Sequence, residues 1–241
     1  MRALAIEPPS KRIGYFEKAP NTRASKSKVM ASSAQAVWVF VVCSVIGLAI
    51  EEVYCLAING EIQDRAGLLF GPFSPIYGVG GVVIVRLARL LEGRPLVVCF
   101  TVFAVTGGAV EFATSWFMEF AFGMVAWDYS GTFLSLGGRT NGYFMLMWGL
   151  LGMVCMKVFV PLFDRFLFPF VGSFRYPVTK IVAVSMALNV TLTLVAFDCW
   201  SHRVDGANIE TPVQQICAVA FDDDFMESRF QTVNLASEKE R

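Results

Sequence analysis

The sequence predicts an all-α, polytopic transmembrane helix bundle of about five spans, and two observations support this. The chain of 241 residues is 55% hydrophobic and only 17% charged, whereas soluble domains are about 25% charged. Its apolar residues are gathered in long runs, and a helix needs about 20 such residues to cross about 30 Å of hydrocarbon. The basic residues alternate between the loops, which predicts the direction of each span.

Five apolar runs are long enough to span a membrane, at residues 36–58, 74–91, 95–121, 142–163 and 178–199. The later run 213–221 is too short. These bounds predict a disordered basic cytoplasmic tail over residues 1–33 and a transmembrane helical domain over residues 34–199. They leave an acidic, extracytoplasmic tail over residues 200–241. The first segment lacks the apolar core of a signal peptide.

The distribution of basic residues predicts that the N-terminus lies inside and the C-terminus outside. Seven basic residues precede the first run, whereas the first loop holds only Arg65 and the third only Arg139. The second and fourth loops, with their flanks, are again rich in Arg and Lys. Because basic loops stay in the cytoplasm, the loops that hold Arg65 and Arg139 are expected to face outward.

Carboxylates interrupt the apolar runs near their outer ends. Glu51 lies late in the first run, and Glu111 and Glu119 lie in the third, with Ser115 one helical turn from each. Glu111 and Glu119 share a broad helix face, because eight residues give about 80° of net rotation. Intramembrane carboxylates usually face the bundle interior or a water-filled cavity. These four residues are therefore candidate lining residues of an outer polar vestibule.

Arg65 and Arg139 are the expected charge partners of these carboxylates, since they are the only cations in the two outer loops. Two interpretations stay open. In the first, the charged groups handle a substrate or bind protons. In the second, their ion pairs only fix the outer mouth of the bundle.

The stretch "GLLFGPFSPIYGVGG", residues 67–81, precedes and enters the second span. Pro72 and Pro75 cannot continue a regular helix from upstream, and Gly71 and Gly78 permit tight turns and close helix contacts. The stretch therefore predicts an irregular or re-entrant segment, of the kind that often marks transporter sites. The alternative is a Pro-Gly turn with a tight helix contact.

The third loop contains "WDYSGTFLSLGGRT". Trp127 and Tyr129 are typical interfacial anchors, and Asp128 between them suits a helix cap or an arginine partner. Gly138 provides a turn before Arg139. The loop either borders the vestibule or serves only as an anchor and turn.

Several function classes are not supported by the sequence. The six Cys form no CxxC pattern and there is one His, so no metal site and no disulfide framework are expected. No P-loop, GxSxG or HExxH motif occurs, which indicates no cofactor and no enzymatic activity, although the Glu pair would allow acid–base chemistry. The basic tail is expected to contact anionic lipid of the bilayer and no nucleic acid.

The order of these motifs, followed by Trp148-Gly149, resembles the bacterial membrane family labelled "putative ABC-transporter type IV permease" over roughly residues 40–165. The matching positions are Gly71, Pro72, Pro75, Tyr77, Gly78, Glu111, Glu119, Trp127, Asp128, Tyr129, Gly138, Arg139 and Trp148.

The resemblance implies a permease-like transport subunit, multi-pass in a bacterial cell membrane, with any ATP-binding subunit on a separate chain. The chain shows no EAA-type coupling loop, so a non-transporting membrane scaffold or sensor is the alternative. The Gly-rich second and fourth spans suit packing within one chain or in a homo-oligomer.

Overall fold

Helices dominate the computed structural model, which describes residues 22–60, 63–167, 177–204, 206 and 211–235. The main helices are α1 (Thr22–Asn59), α2 (Pro75–Leu90), α3 (Leu96–Phe122), α4 (Gly142–Val154), α5 (Val160–Leu162), α6 (Pro177–Val204), α7 (Pro212–Ala220) and α8 (Asp223–Arg229). The π-helical turns Cys155–Phe159 and Phe163–Leu167 flank α5, where Pro161 cannot donate a helical hydrogen bond. The predicted all-α bundle is confirmed.

Four helices are long and apolar enough to cross a membrane, at Ser33–Ile58, Leu96–Phe122, Gly142–Phe166 and Pro177–Val204. The predicted second span corresponds to α2, which has only 16 residues. At 1.5 Å per residue α2 is about 24 Å long, less than the hydrocarbon thickness. The irregular segment before α2 accounts for this difference.

That segment, residues 67–74, reaches deep into the bundle. Asn189 lies near the middle of the 28-residue α6. Its Oδ1 accepts from the Phe70 N–H at 3.2 Å, and its Nδ2 donates to the Phe70 carbonyl at 2.7 Å. One turn along α6, Thr193 Oγ1 accepts from the Leu69 N–H at 3.1 Å. Polar side chains of α6 thus satisfy the non-helical backbone that precedes α2 at membrane depth.

Trp148 of α4 packs against glycines of α2 and α3. A Cβ on Gly80 would lie 2.8 Å from its indole ring, and a Cβ on Gly107 would overlap its side chain. The Tyr77 and Trp148 rings lie 5.7 Å apart. The glycines therefore allow three helices to close around one large ring, which is part of the buried core.

Three parts of the chain meet at one end of the bundle, here called the outer end. After α3, strand β1 (Met124–Val125) pairs antiparallel with β2 (Asn234–Leu235). The Arg229 guanidinium donates to the carbonyls of Leu68 and Gly71. The first loop, the third loop and the C-terminal segment therefore share this end. A chain that crosses the membrane five times places these three parts on one side. The distribution of basic residues predicts which end faces the cytoplasm.

The structure gives more detail on the predicted tails. Helix α1 begins at Thr22, inside the predicted N-terminal tail, and residues 1–21 lie outside the described part of the chain. The chain divides after Ser33 into two units, and the second begins at Ala34. In the second unit α6 continues beyond residue 199 to Val204. Residues 211–235 fold with the bundle, because Met226 and Phe230 share a buried cluster with Phe197 of α6.

Candidate functional site

The loop after α3 folds back on itself instead of forming a loose turn. Gly123 ends α3 in a left-handed conformation. The Tyr129 N–H then donates to the Gly138 carbonyl at 2.8 Å, and Trp127 Nε1 donates to the Arg139 carbonyl at 2.8 Å. These bonds close residues 127–141 into a compact element, which we call the outer lid.

Asp128 has a local role in the outer lid. Its Oδ1 accepts from the Ser130 N–H at 2.9 Å and from Ser130 Oγ at 2.7 Å. Gly138 faces this turn with φ +73°, and a Cβ there would lie 2.5 Å from Asp128 Oδ1. Only glycine fits this position without strain, because the backbone is left-handed and the carboxylate is close.

Glu111 lies beneath the outer lid, in the outer half of α3, and is only 5% exposed. Its two carboxylate oxygens accept from the Tyr129 hydroxyl at 3.2 Å and from Thr140 Oγ1 at 2.6 Å. The Tyr129 ring stacks on Phe144 of α4 with ring centres 4.6 Å apart, which fixes the hydroxyl. The two partners of this buried carboxylate are thus neutral donors from the lid.

Glu51 forms a second carboxylate group beside the first. It pairs with Arg65 Nη1 at 3.0 Å, and its charge acts on Tyr77 of α2. Both Glu51 and Glu111 act electrostatically on Tyr129. Burial first, and then the adjacent Glu111 carboxylate, raise the pKa of Tyr129 well above its ordinary value. Two carboxylates and one arginine therefore form one polar cluster at the outer end.

Glu119 lies at the rim of this cluster. It pairs with Arg139 Nη2 at 2.5 Å, and the Arg139 guanidinium lies 5.6 Å above the Phe112 ring. Ser115, one turn from each α3 carboxylate, is buried. The predicted pairing of Arg65 and Arg139 with the carboxylates is confirmed. The predicted stripe Glu111–Ser115–Glu119 has two buried members and one that is partly exposed.

The side chains of the polar cluster bond to one another and to the outer lid. Two clefts in the described part of the chain lie elsewhere, between α1 and α6. The larger has a volume of about 640 Å³ and is mainly apolar, with Phe70, Phe73 and Leu192 in its wall. Within the described residues, no group of three or more His, Cys, Asp or Glu could hold a metal ion.

Sequence reasoning missed four side chains that hold the lid and the segment before α2 in place, namely Thr140, Asn189, Thr193 and Arg229. Asn189 was detectable, because a polar amide in the middle of an apolar span needs a partner. Thr140 and Arg229 carry no such signal, since polar residues in loops and tails are ordinary. Their role depends on contacts between distant parts of the chain.

A sequence model of the family described as "putative ABC-transporter type IV" matches residues 38–194, more than half of the chain. The protein belongs to this family. The match extends beyond the region in which the motifs alone were recognised and includes most of α6. No curated protein and no solved structure matches the chain.

Family membership and the four apolar helices identify an ABC-transporter-related membrane protein. The matched region contains the irregular segment before α2, the polar cluster, the outer lid and both α6 side chains that bind the segment. It does not contain Arg203, Arg229 or the strand β2. The C-terminal segment that packs on the outer end is therefore outside the matched family region.

Proposed function

We propose that the protein is the permease-like, membrane-spanning subunit of a transporter in the bacterial plasma membrane. ATP hydrolysis would belong to a separate chain, because this sequence contains no P-loop. The protein itself would catalyse no covalent reaction. Family membership supports a relation to ABC transporters.

The irregular segment before α2, residues 67–74, is the observation that carries this proposal. Transporters commonly build substrate sites from discontinuous helices whose ends lie near the membrane midplane. Here Ser74, the N-cap of α2, donates its N–H to the Ser44 carbonyl in the middle of α1. Glu51 of the polar cluster acts electrostatically on Tyr77, in the first turn of α2. A movement of α2 would therefore change the electrostatic surroundings of the outer cluster.

Glu111 is the proposed functional group of that cluster. Its hydrogen bonds come from the outer lid, so opening the lid would expose a carboxylate at membrane depth to the outside. Such a group can bind a proton or a cationic part of a substrate. The pair Arg139–Glu119 would hold the lid closed on α3 in the present structure, and the pair Arg65–Glu51 would hold the first loop against α1.

The first experiment tests the transporter assignment. The full chain would be tagged at its chromosomal locus, extracted in mild detergent, and compared with an untagged strain by quantitative mass spectrometry. We expect stoichiometric recovery of a nucleotide-binding subunit, and ATP hydrolysis by the recovered complex in liposomes. Recovery of the intact chain without any ATPase would overturn the ABC version of the proposal.

The second experiment tests Glu111. Glu111→Gln keeps the shape of the side chain and its acceptor oxygen, whereas Glu119→Gln makes the same change at the partly exposed rim. We expect Glu111→Gln to accumulate in the membrane with near-normal thermal stability but to reproduce the deletion phenotype. The Glu119→Gln control should keep most function. Normal function of Glu111→Gln would refute the assignment.

A non-transporting scaffold or sensor is the second candidate. It is favoured by the fact that Glu51, Glu111 and Glu119 are each already bonded within the chain. In that case Glu111→Gln should lower the amount of folded protein and its thermal stability in parallel with function. The same variant therefore separates the two candidates.

A further inference from the structure

The outer lid has an exposed apolar edge, formed by Phe133, Leu134 and Leu136. These side chains are 56%, 64% and 53% exposed. The stretch of the lid that contains this edge, residues 129–138, includes no Asp, Glu, Lys or Arg. Exposed apolar side chains that lie together mark a contact with another protein or with a membrane. The apolar edge is therefore expected to have a partner outside the chain.

Contacts at the start of α4 fix the position of the apolar edge. The Gly142 N–H donates to the Phe133 carbonyl at 3.0 Å, and the Phe133 and Tyr143 rings lie 5.5 Å apart. A Cβ on Gly142 would lie 2.8 Å from the Phe133 ring and 3.2 Å from Leu134 Cβ. Phe133 and Leu134 thus lie directly against the first turn of α4.

One face of α4 is exposed and apolar along the helix. The buried residues Trp148, Gly149 and Gly152 belong to the face that packs in the bundle. The exposed apolar side chains recur at helical spacing, and they are Tyr143, Leu146, Met147, Leu150 and Val154. Since α4 begins a helix that is long and apolar enough to cross a membrane, this stripe is expected to contact lipid. Phe133 packs on Tyr143, the first residue of the stripe, so the apolar edge continues the lipid-facing surface beyond the helix.

Exposed aromatic side chains indicate the level of the membrane interface at this end. Tyr143 lies in the first turn of α4, and Trp116 and Phe120 lie in the last two turns of α3. The Trp116 and Phe120 rings stack with their centres 5.3 Å apart, and both side chains are exposed. Trp and Tyr concentrate at the interface between the membrane and water. Phe133, which packs on Tyr143, is therefore placed at this level.

The backbone of the lid suits that position. Non-helical backbone is costly near hydrocarbon when its polar groups have no partner. Besides the bond from Gly142 to Phe133, the Leu136 N–H donates to the Thr140 carbonyl at 2.9 Å. The Ser135 N–H donates to the Thr132 carbonyl at 3.2 Å. These internal bonds reduce the number of backbone groups that need water, so the side chains of the apolar edge can enter the interface.

We propose that the apolar edge of the outer lid inserts into the outer leaflet, at the boundary between phospholipid headgroups and acyl chains. Apolar side chains of segments that lie on a membrane penetrate about 5–10 Å into this region. The partner is phospholipid, because the edge is continuous with the lipid-facing stripe of α4. The membrane then holds the lid on one side, while the Arg139–Glu119 pair holds it to α3. The proposal concerns the lid alone and applies equally to a transporter and to a scaffold.

The first test is photo-crosslinking of the full chain in native membranes. The variant Phe133→p-benzoylphenylalanine replaces one aromatic side chain by another that reacts with its neighbours on irradiation. The matched variant Ser130→p-benzoylphenylalanine carries the same group on an exposed residue of the same loop, whose hydroxyl bonds to Asp128. Peptides that contain the lid are then analysed by mass spectrometry. We expect a phospholipid adduct at position 133 and far less at position 130.

Cysteine labelling provides a second measurement that does not depend on the bulky side chain. Leu134→Cys and Ser130→Cys are compared in lipid nanodiscs for their reaction with a charged, membrane-impermeant maleimide. The wild type gives the background from the six native cysteines. We expect Leu134→Cys to react several-fold more slowly, because apolar surroundings disfavour the reactive thiolate. Both positions are exposed in the protein itself, so a difference of this sign comes from the lipid.

Three results would overturn the proposal. Crosslinks from position 133 to another protein, or to a second copy of the chain, would make the apolar edge a protein interface. The absence of a lipid adduct at position 133 would place the edge in water. Equal lipid adducts at positions 133 and 130, or equal labelling rates at positions 134 and 130, would show that the apolar edge has no preference for the membrane.

Discussion

At the inner end of the bundle Arg89 and Asp164 form an ion pair in contact with water, whereas at the outer end Glu111 meets two hydroxyls beneath a lid. Arg89 Nη2 donates to both carboxylate oxygens of Asp164, at 2.8 and 3.1 Å, and the two side chains are 42% and 46% exposed. Gln35 bridges it by accepting from Arg89 and donating to Asp164. The outer group is shielded by the lid, and Glu111 is only 5% exposed.

This difference shows how strongly the surroundings of a polar contact determine its contribution to the free energy of unfolding. Exposed ion pairs contribute about 0–1 kcal/mol, because water and salt screen them. A buried polar group that loses its partner costs about 1–3 kcal/mol, since water no longer replaces the lost bond. Substitutions at the outer end should therefore destabilise the protein more than substitutions at the inner end.

The largest effect is expected for Arg229→Ala. Arg229 donates to the carbonyls of Leu68 and Gly71 and pairs with Asp64 at 2.7 Å. Its removal leaves partly buried acceptors without a donor, which should cost about 2–3 kcal/mol. The midpoint of thermal denaturation in detergent and the rate of proteolysis after residue 204 should both reveal the loss. An unchanged midpoint would mean that the C-terminal segment contributes little to the outer end.

The second effect compares two glycines with similar backbone conformations. Gly138 has φ +73° and faces Asp128 closely, whereas Gly93, in the turn at the inner end, has φ +78° and nothing within 4 Å of a built Cβ. Gly93→Ala should cost about 1 kcal/mol through its left-handed backbone alone. Gly138→Ala should cost about 2 kcal/mol, because the methyl group also displaces Asp128. Equal thermal shifts for the two variants would show that packing in the outer lid is loose.

The sequence predicted the helical scaffold well because its physical signals are local. Apolar runs gave the spans, Pro72 and Pro75 gave the irregular segment, and isolated cations gave the partners of Glu51 and Glu119. The partners of Glu111 could not be inferred in this way. Thr140 lies 29 residues from Glu111, and which loop hydroxyl reaches a helix depends on how the lid closes.

The length of α2 illustrates the same limit. Hydropathy predicted a full span at residues 74–91, and the helix itself is shorter than the hydrocarbon core. Only the bonds from Asn189 and Thr193 show that the preceding backbone occupies the remaining depth. Likewise, the acidic composition of residues 200–241 predicted their side of the membrane but not their packing against α6.

A moderate effect is expected for Tyr129→Phe, which keeps the ring on Phe144 and removes one donor to Glu111. The cost should be about 1–1.5 kcal/mol near neutral pH. Burial raises the pKa of Tyr129 in the folded state, whereas an unfolded tyrosine ionises near pH 10. As the pH rises above about 10, unfolding releases a proton and the folded state loses stability.

Thermal midpoints of wild type and Tyr129→Phe at about pH 8 and about pH 11 test this sign. The advantage of the wild type should shrink at the higher pH. An advantage that grows with pH would contradict the buried, protonated hydroxyl.

The smallest effect is expected for Arg89→Ala at the inner end. The pair with Asp164 is more than one third exposed on both sides, so its loss should cost less than about 1 kcal/mol, and added salt should shrink the difference further. Thermal midpoints at low and high salt measure this. A loss as large as that of Arg229→Ala would mean that the pair is shielded in the membrane. Arg89→Ala could instead keep its thermal midpoint but no longer recover the ATPase subunit. In that case the exposed pair is a contact for that subunit, because a water-screened charge affects function only when another chain binds it.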